Sequence, residues 1–452
     1  MDKKLHDELI EDVEKLRSVI AVCSTQTVVG MVAVKFIRWP EEDIGLMSPH
    51  RQLFFLLGLM LSTNEPAFPQ EFDDEKWNES VDLLGKIFLS YAWMFWPKPE
   101  EAGRLSQEWK EAREVAMPAF LHYFNSGLLA STEQIKDRIK KYIVPHDSAV
   151  KEIFGISTTE MLEITDIISK QMQADYDFLT DLKKKEENAH LAFLDEAERG
   201  NWDLQTMRRK AVQSPYAKIA KDFFSALGNI STVRHSCIQS KFGKEMTDKF
   251  LHEFSATRGS TNKLTYPTEL NPAMETPLYY VEDDVLMIPS AHSIYLAILE
   301  KTERALLQSN AKETFLHQRD HTLENETTEV LRNYFGEKAT ILQSAYETDK
   351  QQYEHDIIVL WERKLFIVEA KAAPPREPLR DPDKAYVRIR DDFRSDRGIQ
   401  KAYNQARRIE EIHEGSNVIY LYDNKGELVL EVQSDDIDRV YSGLPLKKWT
   451  HS

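Results

Sequence analysis

Apolar residues recur at helical spacing through the first half of the chain. Between Met1 and Phe254 they form amphipathic segments, among them Leu9–Ile20, Trp77–Phe88, Ile135–Ile143 and Met161–Met172. This spacing is typical of helices that bury one face. Residues 1–254 are therefore predicted to form an all-helical region. They contain no phosphate-binding or dinucleotide-binding glycine motif, so we expect a role in sensing, recruitment or assembly.

The pattern weakens after this region and the composition changes. Ser255–Pro277 is rich in Ser, Thr, Asn, Gly and Pro, which favours a linker. Leu278–Val281 and Val285–Ile288 then flank a polar turn and predict a short hairpin, which precedes a helix from about Ala291 to Gln308. We assign residues 255–320 to a linker containing this hairpin and helix.

From Leu323 onward the periodicity alternates between helix and strand. A helix ending near Gly336 precedes three apolar β-rich segments, Ala339–Ser344, Gln352–Leu360 and Leu365–Ala370. A further helix and two strands follow these segments. This order predicts a domain of the α/β type over residues 321–452. The pattern assigns no element to Arg439–Ser452.

Bulk composition limits the class of protein. The 452 residues suffice for two or three domains, and 42% hydrophobic with 29% charged residues is typical of a globular chain. No apolar run approaches the roughly 20 residues that span a bilayer, so no membrane partner is expected. Two cysteines, Cys23 and Cys237, support neither a disulfide framework nor a zinc module. A cytoplasmic protein is expected.

Three ionisable residues interrupt the apolar segments of the predicted hairpin. Asp356 lies on its first strand, while Glu369 and Lys371 lie two residues apart on the second. Side chains alternate between the faces of a strand, so an acid should face an acid and a lysine. Burying them is costly unless they are paired or bind a metal. Two carboxylates and a lysine suit Mg²⁺-assisted phosphodiester hydrolysis.

The motif resembles a known superfamily. Asp356, twelve intervening residues and then Glu369-Ala370-Lys371 follow a glutamate-bearing helix and precede a glutamine-bearing one. Over about Leu323 to Val432 this is similar to the PD-(D/E)xK nucleases. The resemblance implies a restriction-endonuclease-like mixed sheet flanked by helices, dependence on Mg²⁺ or Mn²⁺, and cleavage of nucleic acid.

Site roles follow from the resemblance residue by residue. Asp356 and Glu369 match the metal carboxylates, the Ala370 carbonyl could be a further metal ligand, and Lys371 matches the catalytic lysine. The chain departs from the family name at its proline, because His355 precedes Asp356.

The resemblance also implies an acid on the first helix and a glutamine on the last. Glu324 is preferred for the acid because it shares the apolar face of its helix, with Glu329 and then Glu326 as alternatives. Gln405 is preferred for the amide because core-like residues flank it, with Gln400 as the alternative.

Charge is distributed unevenly along the chain. The formal net charge of −17 argues against a surface that binds nucleic acid throughout. Residues 380–408 nevertheless carry nine Lys or Arg against five Asp, which is consistent with a phosphate-contacting edge or with an ordinary solvated helix. The predicted phosphate contacts are Arg388, Arg390, Arg394, Arg397, Lys401 and Arg408.

Together these patterns predict a metal-dependent nuclease, with an endonuclease acting on DNA preferred over an RNase of the same fold. The alternative from another class is a catalytically inactive nucleic-acid-binding or scaffold protein. By analogy of layout we expect a bacterial antiviral-defence effector whose helical region binds a protein partner or self-associates.

Overall fold

The computed structural model of the protein describes residues 3–38, 43–93, 131–370, 382–394 and 399–443, with a few single positions between 106 and 114. The described chain divides into two compact units. One contains Lys3–Ser90 and the described part of Gly127–Ala305, and the other contains the described residues of Tyr91–Ser126 and those from Leu306 onward. Residues 255–305, assigned from the sequence to a linker, are grouped with the first unit.

Helices dominate the described part of the first unit. A capping box starts its longest helix, because Ser157 and Glu160 each bond the other's backbone N–H. Its helices are α1 (Lys3–Ala21), α2 (Thr25–Arg38), α3 (Pro49–Leu61), α4 (Asp74–Trp93), α5 (Thr132–Arg138), α6 (Asp147–Phe154), α7 (Thr158–Arg199), α8 (Leu204–Gln213), α9 (Pro215–Asn229), α10 (His235–Phe242), α11 (Lys244–Phe254), α12 (Pro272–Glu275) and α13 (His292–Gln308). The last residues of α4 and of α13 belong to the second unit. A π-turn at Ile139–Ile143 and a 3₁₀ turn at Val144–His146 continue α5 into α6.

A small sheet accompanies these helices. Its strands are β1 (Thr232–Arg234), β2 (Ser255–Ala256), β3 (Leu278–Glu282) and β4 (Val285–Met287), in the order β1-β4-β3-β2. The predicted hairpin is confirmed as antiparallel β3 and β4. The expectation that residues 1–254 are all-helical was wrong at β1, because three residues are too few to show a period of two.

The interior of the first unit surrounds α3, all of whose residues are buried. None of the helices in the described residues has the length and hydropathy to span a membrane.

Burial of α3 includes the imidazole of His50, which packs at a ring-centroid distance of 4.7 Å from Phe54. Burial, together with the charges of Arg51 and His292, lowers the pKa of His50 from 6.5 to about 3.

His50 should make the stability of the first unit pH-dependent. The unfolded chain takes up the His50 proton below about pH 6.5, whereas the folded chain does not until about pH 3. The free energy of unfolding therefore decreases as the pH falls through this window, by about 2 kcal/mol at pH 5. We expect His50→Leu to lose this contribution, as measured by urea unfolding of both proteins at pH 7.5 and pH 5. An unchanged pH dependence in the variant would contradict a buried neutral imidazole.

The second unit combines three more helices with a larger sheet. The helices are α14 (Lys312–Phe335), α15 (Pro382–Arg394) and α16 (Ile399–Gly415). The strands are β5 (Thr340–Tyr346), β6 (Glu354–Trp361), β7 (Lys364–Val368), β8 (Val418–Tyr422), β9 (Leu428–Gln433) and β10 (Arg439–Gly443). The predicted end of α14 at Gly336 is confirmed, and this glycine has a φ of +70° that favours a residue without a side chain. The helix starts earlier than predicted, since no Gly or Pro interrupts residues 312–323.

The six strands form one mixed sheet in the order β10-β7-β6-β5-β8-β9. Its ladders are antiparallel except for β7 and β10, which are parallel. The predicted order of helices and strands is confirmed, with α15 as an additional helix. The unassigned end of the chain supplies β10, which covers the outer edge of β7.

Helices pack on both faces of this sheet. Leu331 and Phe335 of α14 contact Ile357 and the other buried residues of one face. On the opposite face, Ala406 and Ile409 of α16 pack in the cluster that contains Ile358 and Ile367. The sheet is thus flanked by helices, and its central strands are buried on both sides.

Candidate metal centre

Asp356 and Glu369 lie at one end of the paired strands β6 and β7. The ladder ends at the pair Ile357–Val368, and Asp356 precedes it on one strand while Glu369 follows it on the other. The Ala370 N–H donates to Asp356 Oδ2 at 2.7 Å, which ties the segment after β7 to the Asp356 carboxylate. The predicted pairing of these two segments as a hairpin is confirmed. That the two acids and Lys371 face one another stays a prediction.

The two carboxylates differ in burial. Glu369 is 1% exposed, whereas Asp356 is half-buried. The Glu369 N–H donates to the Gly443 carbonyl of β10 at 3.0 Å, so the backbone at Glu369 is held by the strand on its outer side. Lys371, the predicted catalytic lysine, lies outside the described residues.

The pairing of β5 with β6 is irregular next to this end of the sheet. Leu342 and Ala345 of β5 pack in the same cluster under α16, although strict alternation places residues three apart on opposite faces. Ser344 between them has a φ of +51°. The ladder to β6 continues from Gln343–Ile357 to Ala345–His355, so the change of face on β5 is opposite the start of β6. His355 is consequently on the face that carries α16.

His355 connects Glu369 to two further charged groups. Its Nδ1 lies 3.0 Å from Glu369 Oε1 and its Nε2 lies 3.1 Å from Glu347 Oε1. Arg408 of α16 donates to both oxygens of Glu347, at 2.8 and 2.7 Å, and its guanidinium lies 3.4 Å from the centroid of the Tyr353 ring. We call Glu369, His355, Glu347 and Arg408 the ion-pair chain.

Electrostatic interactions in the ion-pair chain favour the charged forms of His355 and Glu347. Burial acts to lower the pKa of His355, but its hydrogen bonds to Glu347 and Glu369 outweigh burial and raise it above its usual value. Burial likewise acts to raise the pKa of Glu347, and the bonds from Arg408 and His355 outweigh it and lower that pKa. The contacts thus favour the protonated form of His355 and the ionised form of Glu347.

Glu324 lies on α14 near the end of β5. Its carboxylate is 3.8 Å from His321 Nδ1. Burial, then Glu354 and then Glu324 raise the pKa of Tyr346, the last residue of β5. The alternative Glu329 is exposed. Glu324 thus acts electrostatically on Tyr346, at the end of the sheet that carries Asp356.

Gln405 lies above the start of β6. Its amide N–H donates to the Glu354 carbonyl at 3.2 Å. Glu354 directly precedes His355 and Asp356 in the sequence. The alternative Gln400 is exposed and donates to Asn404 of its own helix at 2.9 Å. The structure therefore brings Gln405, and not Gln400, next to the candidate centre.

The predicted phosphate contacts separate into two kinds. Exposed side chains belong to Arg388, Arg390 and Arg394 of α15 and to Lys401 of α16. The guanidinium of Arg408 instead donates to Glu347 and lies over the ring of Tyr353. Arg397 lies outside the described residues.

The sequence analysis did not identify His355 and Glu347 as site residues. His355 directly precedes Asp356, and a histidine beside a strand acid was the one available signal. Glu347 follows β5 in a loop, and its approach to His355 depends on the left-handed residue Ser344, which no hydrophobic pattern reveals.

The donor set fits a hard divalent cation. Two carboxylates, Asp356 and Glu369, and the Ala370 carbonyl are oxygen ligands of the kind that Mg²⁺ prefers, and Mg²⁺ keeps several waters in most sites. Among the described residues, no three His, Cys, Asp or Glu side chains are grouped so as to hold a metal. A site with few protein ligands and several waters is consistent with both observations.

Known proteins add no family assignment. No family model, no curated protein and no solved structure matches the chain. What can be inferred about function therefore comes from the residues of this centre and the motif they form.

Proposed function

We propose that the second unit is a divalent-metal-dependent nuclease that hydrolyses phosphodiester bonds, with internal cleavage of DNA as its activity. The observation that carries the proposal is the bond from the Ala370 N–H to Asp356 Oδ2, at 2.7 Å. It joins the two acidic segments of the motif at one end of a mixed sheet. Buried carboxylates such as Glu369 at a sheet end are costly unless they serve a bound cation or a paired group.

Each residue then has a distinct task. Asp356, Glu369 and the Ala370 carbonyl would hold Mg²⁺ or Mn²⁺. When bound, such an ion activates water and neutralises the charge that develops on the phosphate. Lys371 orients the attacking water and stabilises the developing negative charge. We assign Gln405 and Glu324 to binding either water or the substrate backbone.

The substrate is recognised mainly through its phosphates in this proposal. Arg388, Arg390 and Arg394 are exposed on α15, in a chain whose net charge is −17. These three arginines supply a local attraction for phosphate, and binding through them is salt-dependent.

The test is cleavage by the purified full chain of supercoiled plasmid, linear duplex, single-stranded DNA and RNA. We expect nicking and linearisation of plasmid with Mg²⁺ or Mn²⁺ and none with EDTA. Cleavage of RNA alone would identify an RNase instead. Binding of nucleic acid without cleavage under either metal would identify a binding protein.

Lys371→Ala is expected to lower the cleavage rate by about 10²- to 10³-fold, because it removes charge stabilisation in the transition state. The matched control is Lys364→Ala at the opposite end of β7, where the ammonium lies 4.9 Å from the Trp361 ring centroid. We expect this control to cleave at nearly the wild-type rate. Equal rates for the two variants would remove Lys371 from the mechanism.

A further inference from the structure

The ion-pair chain connects a buried carboxylate to the protein surface. Glu369 and His355 are 1% and 0% exposed, the Glu347 side chain is 5% exposed, and that of Arg408 is 39% exposed. Removing ions from water costs several kcal/mol each, and well-packed apolar residues are often as stable as a buried ion pair. Stability alone does not explain why three ionisable side chains are buried here.

The backbone is also strained at Ser344, close to the residues of the ion-pair chain. Ser344 is not a glycine, yet it has a φ of +51°. A left-handed conformation at such a residue costs about 1–3 kcal/mol. The residues opposite Ser344 are the start of β6, where His355 faces Glu347 and Glu369. The strained residue of β5 thus lies across from the start of β6, which carries His355.

We propose that His355, held in place by Glu347 and Arg408, is the positioning residue for Glu369 at the metal centre. This inference rests on the proposed function. His355 holds one oxygen of the Glu369 carboxylate, so the carboxylate keeps one orientation before a cation binds. Groups that orient a metal ligand in this way typically contribute 10- to 100-fold to metal affinity.

The proposal gives Arg408 a role different from the phosphate contact expected from the sequence. Its two bonds to Glu347 form a fork that an ammonium cannot reproduce. Arg408 acts on the centre through Glu347 and His355, and its effect appears when no nucleic acid is present.

The experiment is titration of the full chain with Mn²⁺ in a calorimeter, without nucleic acid. We expect His355→Leu to weaken Mn²⁺ binding by about 10- to 100-fold and Arg408→Met by about tenfold. Arg408→Lys should fall between Arg408→Met and wild type. The matched control is Arg407→Met on the same helix, whose guanidinium pairs at 3.3 Å with the exposed Glu411 and should leave Mn²⁺ affinity unchanged.

A double variant separates positioning from folding. Glu347→Gln with Arg408→Met removes both members of an opposite-charge pair, which is tolerated better than removing one. We expect it to fold, as judged by circular dichroism, and to bind Mn²⁺ about tenfold more weakly. Higher Mn²⁺ concentrations should restore its cleavage rate, because the cation is bound less tightly while its ligands remain.

The outcomes distinguish this inference from the proposed function. Wild-type Mn²⁺ affinity in folded His355→Leu and in the double variant, together with cleavage by the wild type, would overturn the positioning role and leave the nuclease intact. Weaker DNA binding with unchanged Mn²⁺ affinity in Arg408→Met would also overturn it and make Arg408 a phosphate contact. A wild type that neither binds Mn²⁺ nor cleaves would remove both.

Discussion

Asp356→Asn should reduce DNA cleavage by the full chain about a thousandfold at saturating Mg²⁺. The asparagine side-chain oxygen can still accept the Ala370 N–H, so the bond that fixes this end of the hairpin survives. What disappears is the negative charge of a metal ligand. A thousandfold loss corresponds to about 4 kcal/mol of activation free energy, which is the scale of charge stabilisation that a catalytic metal supplies.

The measurement is the single-turnover rate of plasmid cleavage with Mg²⁺ and with EDTA. The matched control is Glu431→Gln, the same loss of charge at an exposed position of edge strand β9. We expect the control to cleave within about twofold of wild type, as for a surface change away from the site. If Asp356→Asn cleaved within tenfold of wild type, the cation would be held by other residues.

The central strands of the second unit were predictable because they are buried on both faces. Long apolar segments around Ile358 and Ile367, with polar turns between them, identify β6 and β7 without further information. Their exact ends were less clear: β6 and β7 meet in a two-residue turn at Glu362–Arg363, and Glu362 has a φ of +54°. Neither residue is typical of such a turn, so the sequence indicated the connection but not its geometry.

The candidate site was predictable in part, for a different reason. Asp356 and Glu369 stand out because acids are costly inside apolar strands. His355 and Glu347 do not, because their contact depends on the change of face at Ser344, a tertiary feature with no periodic pattern. Arg408 was recognised as cationic, but its partner is 61 residues away in the chain.

Helix α16 links the core of this unit to the site. Ile409 is fully buried among Ile358, Ile367 and Ala406. The neighbouring residues Gln405 and Arg408 reach the start of β6 and the ion-pair chain from the same helix. Correct placement of these two polar side chains therefore requires α16 to pack against the sheet.

Ile409→Ala is expected to lower the free energy of unfolding of the second unit by about 3 kcal/mol, since it removes buried methyl groups and leaves a cavity. Hydrogen exchange of β6 and β7 amides reports this unit separately from the first. Ile412→Ala, at a partly buried position of the same cluster, should cost clearly less. Cleavage should fall with Ile409→Ala even where the unit remains folded, because a loosened α16 misplaces Gln405 and Arg408. A loss below about 1 kcal/mol would mean that α16 is not seated on the sheet, and both residues would then lose their assigned places at the centre.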